Sequence, residues 1–182
     1  MINQKQIEEL KKGDRKVQKE VFRALSPFML AVCRHYIQNE QDAEDIMIKG
    51  FFQAFTKIHQ LDHEQSLKPW IKRIMINECL MFHRRNKKFK STLQLSEVQD
   101  VQIEEKAIKV LRVEELFAYI DQLPDGYRTV FNLYCVEGYK HREIAEMLGI
   151  SINTSKSQLI LARKRLKKMI ENEENITRNG TV

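Results

Sequence analysis

Between Ile152 and Lys168, side chains that form hydrogen bonds and side chains that carry positive charge fall into a helical register. At 100° per residue, Thr154, Ser157, Leu161, Lys164 and Lys168 gather on one face, with Asn153 and Ile160 at its margin. Ile152, Ser155, Leu159, Ala162 and Leu166 form the opposite stripe, which should pack inward. Arg163, Arg165 and Lys167 extend the positive charge along the helix. Hydroxyl and amide groups can read base edges, and basic groups can hold phosphates, so this face suits the major groove of DNA. Leu161 and Ile160 are apolar yet outward, and are expected to meet thymine methyl groups.

Such a helix needs a partner to present it. Arg142 to Leu148 is a short amphipathic helix with Ile144 and Leu148 on one face, and Ala145 is small enough for a close crossing. Gly149 supplies the left-handed conformation of a tight helix end, and Ser151 can cap the second helix. Helix, glycine turn and capped basic helix make a helix-turn-helix.

A second basic set surrounds an upstream helical stretch: Lys68, Lys72, Arg73, Arg84, Arg85, Lys87, Lys88 and Lys90, interleaved with Trp70, Phe82 and Phe89. Positive charge with aromatic faces can hold an unpaired strand, although the Trp70 ring itself is read as a core side chain.

Other constellations point to structure rather than chemistry. Asp42, Glu44 and Asp45 read as a helix cap, with Asp42 the capping residue, and as partners of the helix dipole. His59 and His63, with Asp62 and Glu64, sit at zinc-like spacing in a loop without a third ligand, so no metal is expected. Cys33, Cys79 and Cys135 are far apart, each in an apolar pattern, and read as reduced, buried, small hydrophobes. There is no Ser/His/Asp set, phosphate loop or glycine-rich fingerprint, so neither enzymatic activity nor a cofactor is expected.

The elements that must position these groups are helices. Six glycines and three prolines in 182 residues leave few turn residues, and Leu, Ile, Lys and Glu abound. The expected fold is all-α, with two small helical domains at 1–90 and 107–172, a polar acidic linker at 91–106 and a disordered tail at 173–182. In the first domain a short helix should end at Gly13, and a long stripe from Val17 to Tyr36, with Pro27 inside it, should kink or break near Leu25–Ser26. After a loop from His59 to Lys68, Pro69 should lie in the first turn of the next helix. The net charge of +6 favours a polyanionic partner, and no apolar run approaches the roughly 20 residues of a membrane span. The N-terminus is charged and does not read as a signal peptide, so a cytoplasmic location is expected.

Taken in order, these segments resemble extracytoplasmic-function sigma factors of the sigma-70 family, from about residue 17 to 170. Asp42-Ala43-Glu44-Asp45-Ile46, followed by Phe51, resembles the region 2.2 motif that docks on the β′ clamp helices of core RNA polymerase. The resemblance implies that Asp42, Glu44, Asp45, Ile48, Lys49 and Phe52 meet the polymerase. Lys68-Pro69-Trp70-Ile71-Lys72-Arg73-Ile74, then Asn77, is similar to regions 2.3 and 2.4, which melt and read the −10 element. It implies DNA contacts by Lys68, Trp70, Lys72, Arg73, Asn77, Arg84 and Arg85, with base capture in the loop Leu61 to Leu67.

Leu123-Pro124 through Tyr127-Arg128 and Phe131 resembles the opening of region 4, which meets the polymerase β flap. The helix-turn-helix resembles the part that reads the −35 element, through Asn153, Thr154, Lys156, Ser157, Gln158, Ile160, Leu161, Arg163 and Lys164. An anti-sigma factor is a further partner that the family allows. Five positions depart from the family pattern: Ile48-Lys49 stand where Gln-Glu is common, Gln158 and Leu161 replace basic residues, and Ser155 replaces a buried Val and should bond back to its own helix. The rival expectation is a one-component helix-turn-helix regulator that binds its operator without polymerase.

Overall fold

The computed structural model describes residues 4–62, 66–85 and 113–179, and among them every regular element is helical. His63, Glu64, Lys87, Lys88, Phe89, Lys90 and the expected linker at 91–106 lie outside the described residues. The chain divides into two compact units, Met1–His83 and Arg84–Val182.

The first unit opens with α1 (Gln4–Lys11), which ends in a turn at Gly13, φ +79°. Asp14 then caps α2 (Arg15–Arg34), its carboxylate accepting from the amides of Lys16 at 2.8 Å and Val17 at 3.2 Å. Val17, Val21, Leu25, Met29, Val32 and Cys33 form the buried stripe of α2, at the three- and four-residue spacing of one helix face. The helix runs unbroken through Pro27, so no break falls at Leu25–Ser26. Pro27 and Arg23 both face solvent, so the Arg23 carbonyl that loses its amide partner stays open to water.

The cap of α3 (Glu40–Thr56) is Asn39, not Asp42: the Asn39 side chain accepts from the Asp42 amide at 3.0 Å. Ala43 is already buried, so the apolar face begins a turn earlier than the large residues suggest. A 3₁₀ turn, Ile58–Gln60, leads towards α4 (Leu67–Arg85), and the first residue of the connection is anchored by Lys11 donating to the Leu61 carbonyl at 3.2 Å. Pro69 falls in the first turn of α4, as expected. Ile71, Met75, Ile76, Cys79 and Leu80 of α4 are buried, each contributing about 1.5–3 kcal/mol by leaving water. Gly50 of α3 lies directly over the buried Met75, and a β-carbon there would collide with the sulfur.

In the second unit, α5 (Val113–Asp121) and α6 (Asp125–Phe131) meet at a corner held by Arg128. Its fully buried guanidinium donates to the carbonyl of Leu123 at 2.9 Å, to that of Asp121 at 3.3 Å and to the Asp125 carboxylate at 2.6 Å. A cation at the end of α5 thus satisfies carbonyls that the helix leaves unpaired. A π-helical turn, Asn132–Val136, comes next, and then α7 (His141–Leu148) and α8 (Ile152–Asn179). Ile120, Leu123, Ala162 and Leu166 make the core of α5 and α8, with Phe117, Tyr127 and Phe131 packed around them. Helix α8 continues to Asn179, so the disordered tail expected at 173–182 is helical as far as Asn179; no glycine or proline interrupts the chain between Ile152 and Asn179.

Cys33 and Cys79 are buried as expected, but Cys135 is exposed on the π turn, whose later residues, Tyr134 to Val136, face solvent. Both are free thiols; a hydrogen bond between Cys33 and Cys79, together with burial, holds Cys79 well above the usual thiol range.

Candidate nucleic-acid and protein-docking surfaces

Helix α7 ends as its sequence requires. Gly149 adopts φ +68° and ψ +38°, its amide bonds back to Glu146 at 3.3 Å, and the Ile150 amide reaches Ala145 at 3.0 Å. Ser151 then caps α8, its hydroxyl accepting from the Thr154 amide at 2.9 Å. At the other end of α7 the Glu143 carboxylate accepts from the Lys140 amide at 2.7 Å. Ile144, Ala145 and Leu148 are buried, so α7 serves as the support on which α8 rests.

The outward face of α8 carries Asn153, Lys156, Arg163, Lys164, Arg165 and Lys168, all exposed. From Ile152 to Ile170 there are six basic residues and no acidic one, so the face is uniformly positive. Thr154, Ser157, Ile160 and Leu161 are half-buried around its edge. The Thr154 hydroxyl meets that of Ser151 at 2.8 Å, and the Ser157 hydroxyl donates to the Thr154 carbonyl at 3.0 Å. Arg165 lies over the Tyr127 ring at 5.5 Å, so part of its charge is committed within the unit.

Two residues of α8 depart from expectation. Gln158, a DNA contact only by the family resemblance, is fully buried where α8 packs against its supporting helices. Helices α5, α6 and α7 all pack on α8 and widen its inner sector beyond a single stripe. Ile152, assigned inward, is 43% exposed at the helix start.

Ser155 is also fully buried, but it does not bond back to its own helix. Its hydroxyl meets Nδ1 of His141 on α7 at 2.9 Å. The His141 ring stacks on Tyr134 of the π turn, with centroids 4.5 Å apart and planes 23° apart. Burial, then Lys156, then Arg163 push the imidazole below its usual value. The sequence reading missed His141. A hydroxyl on an otherwise apolar stripe was the available signal, since it demands a buried partner.

By helical spacing, Trp70, Arg73, Asn77, Met81 and Arg84 share one face of α4. Arg73, Asn77, Met81 and Arg84 are exposed, and Trp70 is half-buried rather than core. Met81 was not foreseen as part of this stripe. Lys68 turns away to lie 3.8 Å over the Phe28 ring, Lys72 is half-buried, and Arg85 is exposed off the stripe.

On α3, Asp45, Ile48 and Phe52 form an exposed line, with Glu44 beside it. Phe52 is 72% exposed and Ile48 56%, so the helix shows solvent two large apolar side chains flanked by acids. Asp42 is half-buried at the start of the helix. Lys49 points elsewhere: its ammonium is 2.5 Å from the carboxylate of Glu78 on α4, which is only 3% exposed. Gln53 donates to the other oxygen of Glu78 at 2.6 Å.

Among the described residues no group of His, Cys, Asp or Glu could hold a metal, and no helix is long and apolar enough to cross a membrane.

Residues 21–89 match sigma-70 region 2, and residues 114–166 match sigma-70 region 4. Among curated proteins, the chain is 33% identical over 128 residues to the ECF RNA polymerase sigma factor SigM of Bacillus subtilis, covering 69% of this chain and 77% of that one. It is 27% identical over 184 residues to SigW of the same organism, covering 93% and 97%. Among solved structures, CnrH in complex with the cytosolic domain of CnrY has a TM-score of 0.50 at 17% identity, covering 92% of this chain and 96% of that one. The sigma factor RpoE of Bartonella quintana, in complex with the anti-sigma factor NepR, has a TM-score of 0.50 at 22% identity, covering 84% and 96%. At these identities the two structures speak for the fold.

Proposed function

Because the chain belongs to the extracytoplasmic-function branch of the sigma-70 family, and acts as a factor that gives core RNA polymerase its promoters, we propose which of its surfaces do the work. The line Asp45, Ile48 and Phe52 on α3, with Asp42 and Glu44, docks on the β′ clamp helices. Trp70, Arg73, Asn77 and Arg84 on α4 face the −10 region, where basic side chains hold the backbone and the ring and amide meet unstacked bases. The start of α8 enters the major groove of the −35 element: Asn153 and Ser157 reach base edges, Ile160 and Leu161 meet thymine methyls, and Lys156, Arg163 and Lys164 hold phosphates. These roles need no catalytic group of the chain's own, and the protein would work in the cytoplasm. An anti-sigma factor would silence it by covering the α3 line.

The observation that carries the polymerase reading is the exposure of Phe52 at 72%, beside Ile48 at 56%. Two large apolar side chains in water are costly unless a partner covers them, and a regulator working alone would not need them. The test is reconstitution with core polymerase and a pool of randomised promoter DNA. Phe52→Ala should weaken assembly with core at least tenfold and leave the melting transition near wild type. Wild-type assembly without promoter-dependent transcripts, or Phe52→Ala binding core as wild type does, would overturn the assignment.

A further inference from the structure

Ser155 places a hydroxyl on the buried stripe formed by Leu159, Ala162 and Leu166, where it is tolerable only with a partner. That partner, His141 Nδ1 at 2.9 Å, belongs to the first residue of α7. The stack on Tyr134 fixes the ring plane, and the Ser155 bond fixes the rotation within that plane. With Nδ1 engaged inward, Nε2 occupies the opposite side of a ring that remains half-exposed.

The charges that bear most on the ring are positive. Lys156 and Arg163 bear on it from α8, and both lie on the face proposed to meet phosphates. From the π turn, the group against the ring is the Tyr134 phenol. On its own helix Lys140 and Arg142 flank it, while the Glu143 carboxylate is committed to the Lys140 amide. A helix N-terminus adds a further positive field. In the free protein burial, then Lys156, then Arg163 oppose a proton on the imidazole. A phosphate brought alongside reverses the balance.

We infer that His141 is a further residue of the promoter-contacting surface, held by Ser155 and Tyr134 so that Nε2, on taking up a proton, donates to a backbone phosphate of the −35 duplex. The inference rests on α8 being the DNA-reading helix. Promoter binding is then linked to proton uptake, and affinity rises as pH falls through the imidazole range.

The test uses reconstituted holoenzyme and a duplex that the wild-type holoenzyme selects from a randomised promoter pool. Affinity is measured from pH 6.0 to 8.0, at several salt concentrations, for wild type and for His141→Phe, which keeps the ring stack. Wild-type affinity should rise several-fold more than that of His141→Phe on going to pH 6.0. At pH 6.0 its salt slope should be steeper by about one phosphate contact, ~0.9. His141→Gln serves as a second variant should the phenylalanine disturb folding, and should lose the same pH-dependent part. Ser155→Val should keep affinity at pH 8.0 and lose part of the gain at pH 6.0. Equal pH and salt slopes in wild type and both His141 variants would overturn the inference, as would a loss that is the same at every pH, which marks a structural ring. If Lys156→Ala and Arg163→Ala bind as tightly as wild type, the DNA reading of α8 itself fails, and that outcome is separable from the first.

Discussion

A single side chain decides what the outer line of α3 offers. Lys49 stands within the set expected to meet polymerase, yet its ammonium neutralises Glu78, whose carboxylate is 3% exposed between α3 and α4. Removing one partner of a buried pair costs more than the pair is worth, because the remaining charge stays desolvated. Lys49 is half-exposed, which moderates the penalty. Lys49→Met should therefore destabilise the protein by about 1–3 kcal/mol in urea unfolding. Glu78→Gln should cost less, and the double variant should recover most of the loss. Strict additivity of the two single variants would refute the pairing. His141 makes a second residue-scale prediction. Its folded-state value is lowered, so above about pH 6.5 the neutral ring fits the fold, and as pH falls the unfolded chain gains a proton that the folded one resists. Without DNA, the melting temperature of wild type should fall more steeply below about pH 6.5 than that of His141→Phe; parallel curves would contradict this.

Among the elements, the helix-turn-helix was the most legible part of the sequence. Gly149 and Ser151 are local signals, and each does in the structure what its chemistry requires. The misassignments arose where neighbours outside the helix decide the outcome. Gln158 was carried over from the family pattern, but the packing of α8 against α5, α6 and α7 draws it inside. Pro27 is carried because it faces water, and Asn39 caps α3 because a small residue, Ala43, already belongs to the core. Arg128 was visible in the sequence as part of a motif, but its burial against the end of α5 was not. Arg128→Met keeps volume and removes three bonds. It should lower stability by about 2–4 kcal/mol, with the loss centred on the α5–α6 corner in amide exchange. Protection unchanged in α5 and α6 would show that the corner does not depend on it.

For the whole molecule, the proposed surfaces on α4 and α8 would divide the labour of binding a promoter between the two units. Much of the chain's excess positive charge lies on α4 and α8, so promoter affinity of the holoenzyme should depend strongly on salt. Alanine at Lys156, Arg163 and Lys164 should each weaken binding at all sequences and reduce the salt slope by about one. Alanine at Asn153 should instead relax selection at one −35 position, leaving the slope unchanged. Reversed behaviour would mean that base and phosphate contacts have been exchanged along α8. The family role was legible only from the order of the motifs, because no single segment encodes an encounter with polymerase.

The unequal burial of the three thiols gives them a practical use. Cys33 and Cys79 are sealed in the first unit, whereas Cys135 lies open beside Tyr134, the ring that carries His141. The native chain should therefore consume one equivalent of a thiol reagent rapidly, and the other two only when the first unit opens. A fluorophore attached at Cys135 would report promoter engagement without any engineered cysteine. The slow reaction of the buried pair would time the opening of the unit that carries α3.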